Sequence, residues 1–245
     1  TGSEDDPGTI QSLKDMGYLE GDVVTKTIRD WHHGRYRATR STRSREILTD
    51  IMPVVLKAIA ATPSPDISFR RFDRFLSRLP EWVQPFSLFQ SNPELLTLVA
   101  EVIGIAPKLA EFLENNPHVL DAILSNQFGK PHLPTDPLEK DLQSVLDRSR
   151  DYQDILDLSR RWVRENRFQI GTQILENKLF GQNASKSFSN IAITVIRCLL
   201  PIITQEFEEN HGQIHDGKYA IVGLGTLGSR EMIFSSDLDL IFIYD

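Results

Sequence analysis

Apolar residues recur at three- and four-residue intervals along most of this chain, and the rhythm changes once, near residue 210. That single change of period constrains the fold more than any other feature. A 3.6-residue period buries one stripe of a helix, whereas a period near two buries one face of a strand. The expected fold is therefore mainly α: an array of short helices, then longer helices, then the first strands of an α/β domain.

Before the change, prolines punctuate the helices. A helix is expected from Val23 to about His32, after the turn-like "EGD", and another from about Ser41 to Ala60. The second carries Ile47, Leu48, Ile51, Val55, Leu56 and Ile59 on one stripe. Pro53 should kink or divide it, because proline removes an amide donor and clashes with the preceding turn. "TPSPD" (62–66) is a break, with Asp66 placed to cap the helix bearing Phe69, Phe72, Phe75, Leu76 and Leu79. "SNPELLTLVAEVIG", "APKLAEFLENN" and "NPHVLDAILSN" follow, with Pro93, Pro107 and Pro117 suited to first helical turns. Phe86 and the preceding phenylalanines read as core. "GKPHLPTDP" (129–137) is the best linker, and helices are expected over Leu138 to about Ser149, Tyr152 to about Leu179, and Ala184 to about Glu209. Gly171 weakens the middle one by roughly 1 kcal/mol relative to alanine.

After the change, "KYAIVGLG" reads as a strand, "TLGSREM" as a short helix, and "DLDLIFIYD" as a second strand. Asp237 and Asp239, one residue apart on a strand, point to one face, while Leu238 and Leu240 point to the other, into a core. Two adjacent carboxylates repel each other unless a cation lies between them, and hard oxygen ligands suit magnesium. Gly225 and Thr226 at the start of a helix offer backbone amides and a hydroxyl to a phosphate. "GLGTLG" also fits the dinucleotide pattern G-x-G-x-x-G. That alternative expects one acid at a strand end about 20 residues on, a place Asp245 just fills, and a longer crossover helix. A glycine-rich phosphate cradle beside a carboxylate pair suits nucleotidyl transfer instead.

These residues resemble the DNA polymerase β-like nucleotidyltransferases, whose signature is a glycine–serine turn followed by an aspartate–x–aspartate strand. Gly225 precedes Asp237 by twelve positions, as in small members, and Thr226 stands where serine is usual. "GSRE" and "FSSDLDLIF" are more specifically similar to the glutamine synthetase adenylyltransferases, which pair an adenylylating with an adenylyl-removing half. "WHHGRYRATRS" (31–41) and residues 85–124 share the resemblance, and the former resembles the junction into the adenylylating half. The resemblance implies residues 1–128 as a helical linker or regulatory region, 129–137 as a linker, 138–209 as long helices flanking a catalytic domain, and 210–245 as its start. It implies Asp237 and Asp239 as magnesium ligands, and Gly225 and Thr226 as the cradle for ATP, with Ser229, Arg230 and Ser236 nearby. Arg230 can contact phosphate or bridge to Glu231 or another acid. The implied reaction is AMP transfer to a tyrosine of glutamine synthetase. Two alternatives remain, the phosphorolytic half or a helical binding module for the PII signal protein. The family's third carboxylate would fall on a later strand, so these 245 residues alone are expected to be inactive.

Composition closes other classes. A net charge of −7 argues against general affinity for DNA, which needs clustered cations. The local exception, Arg37, Arg40 and Arg43, would share a helical face, either for a phosphate or acidic partner or for pairing within the chain. Apolar runs such as 191–203 fall short of the roughly 20 residues of a membrane span. The acidic start is no secretory signal, and the single Cys198 forms no internal bridge, so a cytoplasmic location is expected. His32 and His33 lack metal spacing, as do His118 and His132; "HGQIH" (His211, His215) falls in an expected loop.

Overall fold

The computed structural model describes residues 7–79, 84–120, 134–213 and 217–245, and the protein is mainly α-helical. It divides into two compact units, Thr1–Leu124 and Ser125–Asp245.

The first unit holds α1 (Pro7–Asp15), α2 (Gly21–His32), a 3₁₀ turn (Arg37–Thr39), α3 (Thr42–Ala60), α4 (Pro65–Arg78), α5 (Gln84–Ser91), α6 (Pro93–Ile105) and α7 (Pro107–Asn115). α6 lies at its centre, packed on α3, α4, α5 and α7. Pro65, Pro93 and Pro107 sit in first turns, where no amide partner is lost. The expected phenylalanines are core: Phe69, Phe72, Phe75 and Phe86 are all buried. Trp31, fully buried, stacks on Phe69 at 5.3 Å between ring centroids.

Several local expectations change. α3 runs through Pro53 undivided, with Ser41 as its N-cap accepting from the Ser44 amide at 3.0 Å. Asp66 does not cap its own helix; its carboxylate accepts from the Leu19 and Glu20 amides at 2.9 and 3.0 Å and so fixes the approach to α2. α1 and α5 were not expected. Arg37, Arg40 and Arg43 do not share a helix, since the first lies in the 3₁₀ turn and the last in α3. Of the three, Arg43 pairs with Glu46 at 3.3 Å. The "WHHGRY" segment is anchored instead by Asp73, whose Oδ1 accepts from Trp31 Nε1 at 2.7 Å and from the Tyr36 hydroxyl at 2.8 Å. Burial and this bond push the Tyr36 phenol up to about 12. Burial, then Arg45 and His33, lower the His32 imidazole below its ordinary value. The helix expected from "NPHVLDAILSN" lies beyond Leu120 outside the described residues, as do His132, His215 and positions 129–133 of the expected linker.

In the second unit, α8 (Thr135–Leu146), α9 (Tyr152–Leu175) and α10 (Gly181–His211) form a three-helix layer. α9 is continuous through Gly171, and Asp151 caps it by accepting from the Asp154 amide at 2.8 Å. Against the expectation from its apolar runs, α10 is by length and composition long and apolar enough to cross a membrane; its residues Phe188, Ile191 and Ala192 are buried in the core with Leu138, Leu142 and Trp162. Trp162 Nε1 donates to Asp141 at 2.7 Å, and Arg197 of α10 pairs with Glu139 of α8 at 2.8 Å. The chain then forms β1 (Tyr219–Gly223), one helical turn α11 (Gly225–Gly228), and β2 (Leu240–Tyr244). The strands pair antiparallel from Tyr219 opposite Tyr244 to Gly223 opposite Leu240. Helical turn α11 ends four residues earlier than "TLGSREM" suggests.

Gly104 of α6 packs closely on Thr62. A Cβ there would lie 2.4 Å from Thr62 Cγ2, and Thr62 is held in place by its hydroxyl, which donates to the Ile59 carbonyl at 2.6 Å. Gly104→Ala is expected to lower stability by about 1–2 kcal/mol, overpacking outweighing the helix preference of alanine. Adding Thr62→Ser removes the methyl but leaves the Thr62 Cβ, which would lie 2.7 Å from the new Cβ, so it should recover only part of the loss in urea denaturation.

Candidate active site

Four apolar side chains hold the turn, the segment after it and the start of β2 against the helical layer of the second unit. Leu227 of α11 and Met232 after it are buried in the core with Phe188 and Ile170, and Leu240 packs on the same cluster. Phe234 meets Phe188 edge-on at 6.2 Å. With these apolar groups buried, the polar groups between them have no choice but the surface.

The turn itself is dense with backbone constraint. Gly225 has φ +51°, a left-handed conformation that disfavours any Cβ, and a Cβ there would lie 2.6 Å from Asp239 Oδ2. Glycine at this position therefore lets the Asp239 carboxylate press against the turn. At Gly228 a Cβ would lie 2.7 Å from the Gly223 carbonyl oxygen, so the helical turn can pack on the end of β1 only as glycine. The turn stops where it does because Arg230, at φ +58°, reverses it. The Arg230 amide donates to the Leu227 carbonyl at 3.1 Å and the Glu231 amide to the Thr226 carbonyl at 2.8 Å, the paired bonds of a Schellman stop. Glycine is the usual residue there; arginine is held at a cost of about 1–2 kcal/mol.

Each expected site residue can now be placed. Asp237 and Asp239 are exposed and lie in the segment before β2, not within the strand as expected. Asp239 still follows the strand's pairing, since its carbonyl accepts from the Leu224 amide at 2.8 Å. Leu240 points into the core as expected, but Leu238 is 46% exposed. Thr226 is exposed, and its hydroxyl has no partner among the described residues. Ser229 Oγ donates to the Gly225 carbonyl at 3.3 Å. Ser236 Oγ accepts from the Ile233 amide at 2.9 Å and so closes a tight turn before the aspartates. Arg230 forms no ion pair among the described residues, Glu231 included. No cluster of three or more metal-ligating side chains occurs among them either.

Sequence reasoning missed Arg167. This half-buried residue of α9 donates to the carbonyls of Phe234 and, at 3.5 Å, Ser236, and its guanidinium lies over the Phe234 ring, 5.6 Å from the centroid. Burial lowers its pKa and the nearby Asp237 charge opposes that. Arg167 thus fixes the backbone that leads into Asp237 and places a positive charge beside it. Nothing in the local pattern of α9 distinguishes it from a solvated helix arginine.

Comparison with known proteins places this mainly α chain among the adenylyltransferases. The family model described as glutamate-ammonia ligase adenylyltransferase matches residues 96–245, and the chain belongs to that family. Over 246 residues it is 42% identical to the bifunctional glutamine synthetase adenylyltransferase/adenylyl-removing enzyme of Brucella suis biovar 1 (strain 1330). It is 40% identical over 250 residues to the protein of the same name from Mesorhizobium japonicum, and 39% over 249 to that from Caulobacter vibrioides. Each match covers 100% of this chain but only 25%, 25% and 24% of the respective relative, so the chain spans about a quarter of their length.

The strain at Arg230 is measurable. Arg230→Gly should raise the stability of the chain by about 0.5–1 kcal/mol, the relieved left-handed strain less the extra chain entropy of glycine. Chemical denaturation with an unchanged m-value would report it.

Proposed function

We propose that the turn at Gly225 and the pair Asp237 and Asp239 form the nucleotide side of a site that transfers AMP from ATP to a tyrosine of glutamine synthetase. The single observation that carries this is the approach of the Asp239 carboxylate to the left-handed Gly225 turn. It brings an anionic oxygen, suited to a divalent cation, against a backbone suited to phosphate. The donor set suits magnesium: two exposed carboxylates that make no side-chain hydrogen bond or ion pair among the described residues, and a glycine that leaves one of them room.

On this reading Asp237 and Asp239 hold the magnesium, which would neutralise phosphate charge and lower the pKa of the attacking hydroxyl. The turn residues Gly225 and Thr226 bind the triphosphate, through backbone amides and the unpartnered Thr226 hydroxyl. Ser229 and Ser236 keep the turn and the aspartate segment in shape. Arg230, strained and without an acidic partner, reaches for phosphate and not for Glu231. The tyrosine oxygen attacks the α-phosphorus in line; the new O–P bond forms as the bond to pyrophosphate breaks, and the tyrosine proton is lost to solvent or base. The adenylylating direction is preferred for the likeness of residues 31–41 to the junction into that half. The same likeness extends the proposal to a cytoplasmic protein whose first unit answers to the PII signal protein.

The test uses the whole protein that contains this chain. Asp237→Asn with Asp239→Asn should reduce AMP transfer to glutamine synthetase by about a thousandfold or more, the scale of losing a central electrostatic group. Helix content and thermal midpoint should stay unchanged, because both side chains are exposed. Retained transfer in the double variant would rule the assignment out.

A further inference from the structure

A second polar site lies in the first unit, far in sequence from the aspartates. A cavity of about 600 Å³ opens between α4 and α7, within the range of about 300–1,000 Å³ typical of small-ligand sites. One wall is cationic. Arg70, Arg74 and Arg78 follow at four-residue intervals on α4, a row about 12 Å long, with Arg71 beside them. The other wall is anionic, carrying Glu111 and Glu114 of α7. Opposite charges facing each other should close to salt-bridge distance. Among the described residues no ion pair crosses this cavity.

The arginines are unequally committed. Arg70 pairs with Glu20 at the start of α2. Arg71 donates to the Ile103 carbonyl at 2.9 Å, and Arg78 to the neutral Asn115 Oδ1 at 2.8 Å. Arg74, the middle of the row, has no side-chain partner among the described residues. Three like charges one turn apart disfavour the helix, and one neutralised neighbour leaves that repulsion in place. The guanidinium fork matches a tetrahedral phosphate in two bonds at once. A long polyanion, such as nucleic acid, would be repelled by Glu111 and Glu114. A small molecule with charge at one end and hydrogen-bond donors at the other satisfies both walls.

We propose that this cavity binds a phosphate-bearing small molecule, with the phosphate on Arg74 between Arg70 and Arg78 and its donor groups towards Glu111 and Glu114. The cavity belongs to the first unit, and the proposal does not depend on the assignment of the turn at Gly225. Calorimetric titration of the chain in EDTA, which withholds divalent cations from the aspartates, tests it with AMP and separately with orthophosphate. Saturable 1:1 binding is expected, weakened about tenfold by Arg74→Ala. Arg74 is exposed and unpartnered, so the variant should keep its melting temperature. Tighter binding of AMP than of orthophosphate, with Glu111→Gln weakening AMP alone, identifies an organic phosphate as the ligand. Equal binding of the two identifies orthophosphate itself. Absence of heat from both, or binding indifferent to Arg74→Ala, overturns the proposal.

Discussion

The placement of Asp239 against Gly225 depends on the glycine having no side chain, and the rest of the site depends on that placement. With a Cβ at 2.6 Å from the carboxylate oxygen, one group or the other must move. The helical layer supplies the counterforce. Leu227 and Met232 are buried among α8, α9 and α10, so the turn and the segment after it are held from below by apolar burial. Fully burying such a side chain is worth about 1.5–3 kcal/mol, enough to offset the backbone strain stored at Arg230. The helices thus serve the site less as walls than as a platform to which two flanking side chains are fastened.

Arg167 extends the same logic laterally. Its bonds to the Phe234 and Ser236 carbonyls set the direction in which the chain reaches Asp237, while Ser236 closes the turn from the other side. One aspartate is positioned by β-type pairing with Leu224 and the other by a cation from a helix. Both remain exposed, as groups that must exchange solvent for a ligand should be.

The large features were readable from the amino acids because they rest on local rules. Proline at a first turn, apolar stripes at helical spacing and the change of period near residue 210 each express a backbone preference that tertiary packing does not overturn. The Gly225 turn was readable for a similar reason, since few other residues permit it, whereas the aspartates looked like strand residues and lie before a strand that begins only at Leu240. What stayed hidden depends on partners distant in sequence. Asp66 looks like a cap for its own helix until the amides of Leu19 and Glu20 compete for it. Arg167 looks like any solvated helix arginine. Leu238 alternates correctly for a strand, but the pairing begins only at Leu240, so no core receives it. α1 was obscured by the acidic residues around it, having one buried side chain, Leu13, to announce it.

Paramagnetic relaxation by manganese, standing in for magnesium, reads the central claim directly. With ATP present, the amides of Gly225 to Ser229 and of Ser236 to Leu240 should broaden together, and the broadening should vanish when both aspartates are asparagine. Broadening centred elsewhere, or unchanged in that variant, would show that the turn and the carboxylates do not share a cation.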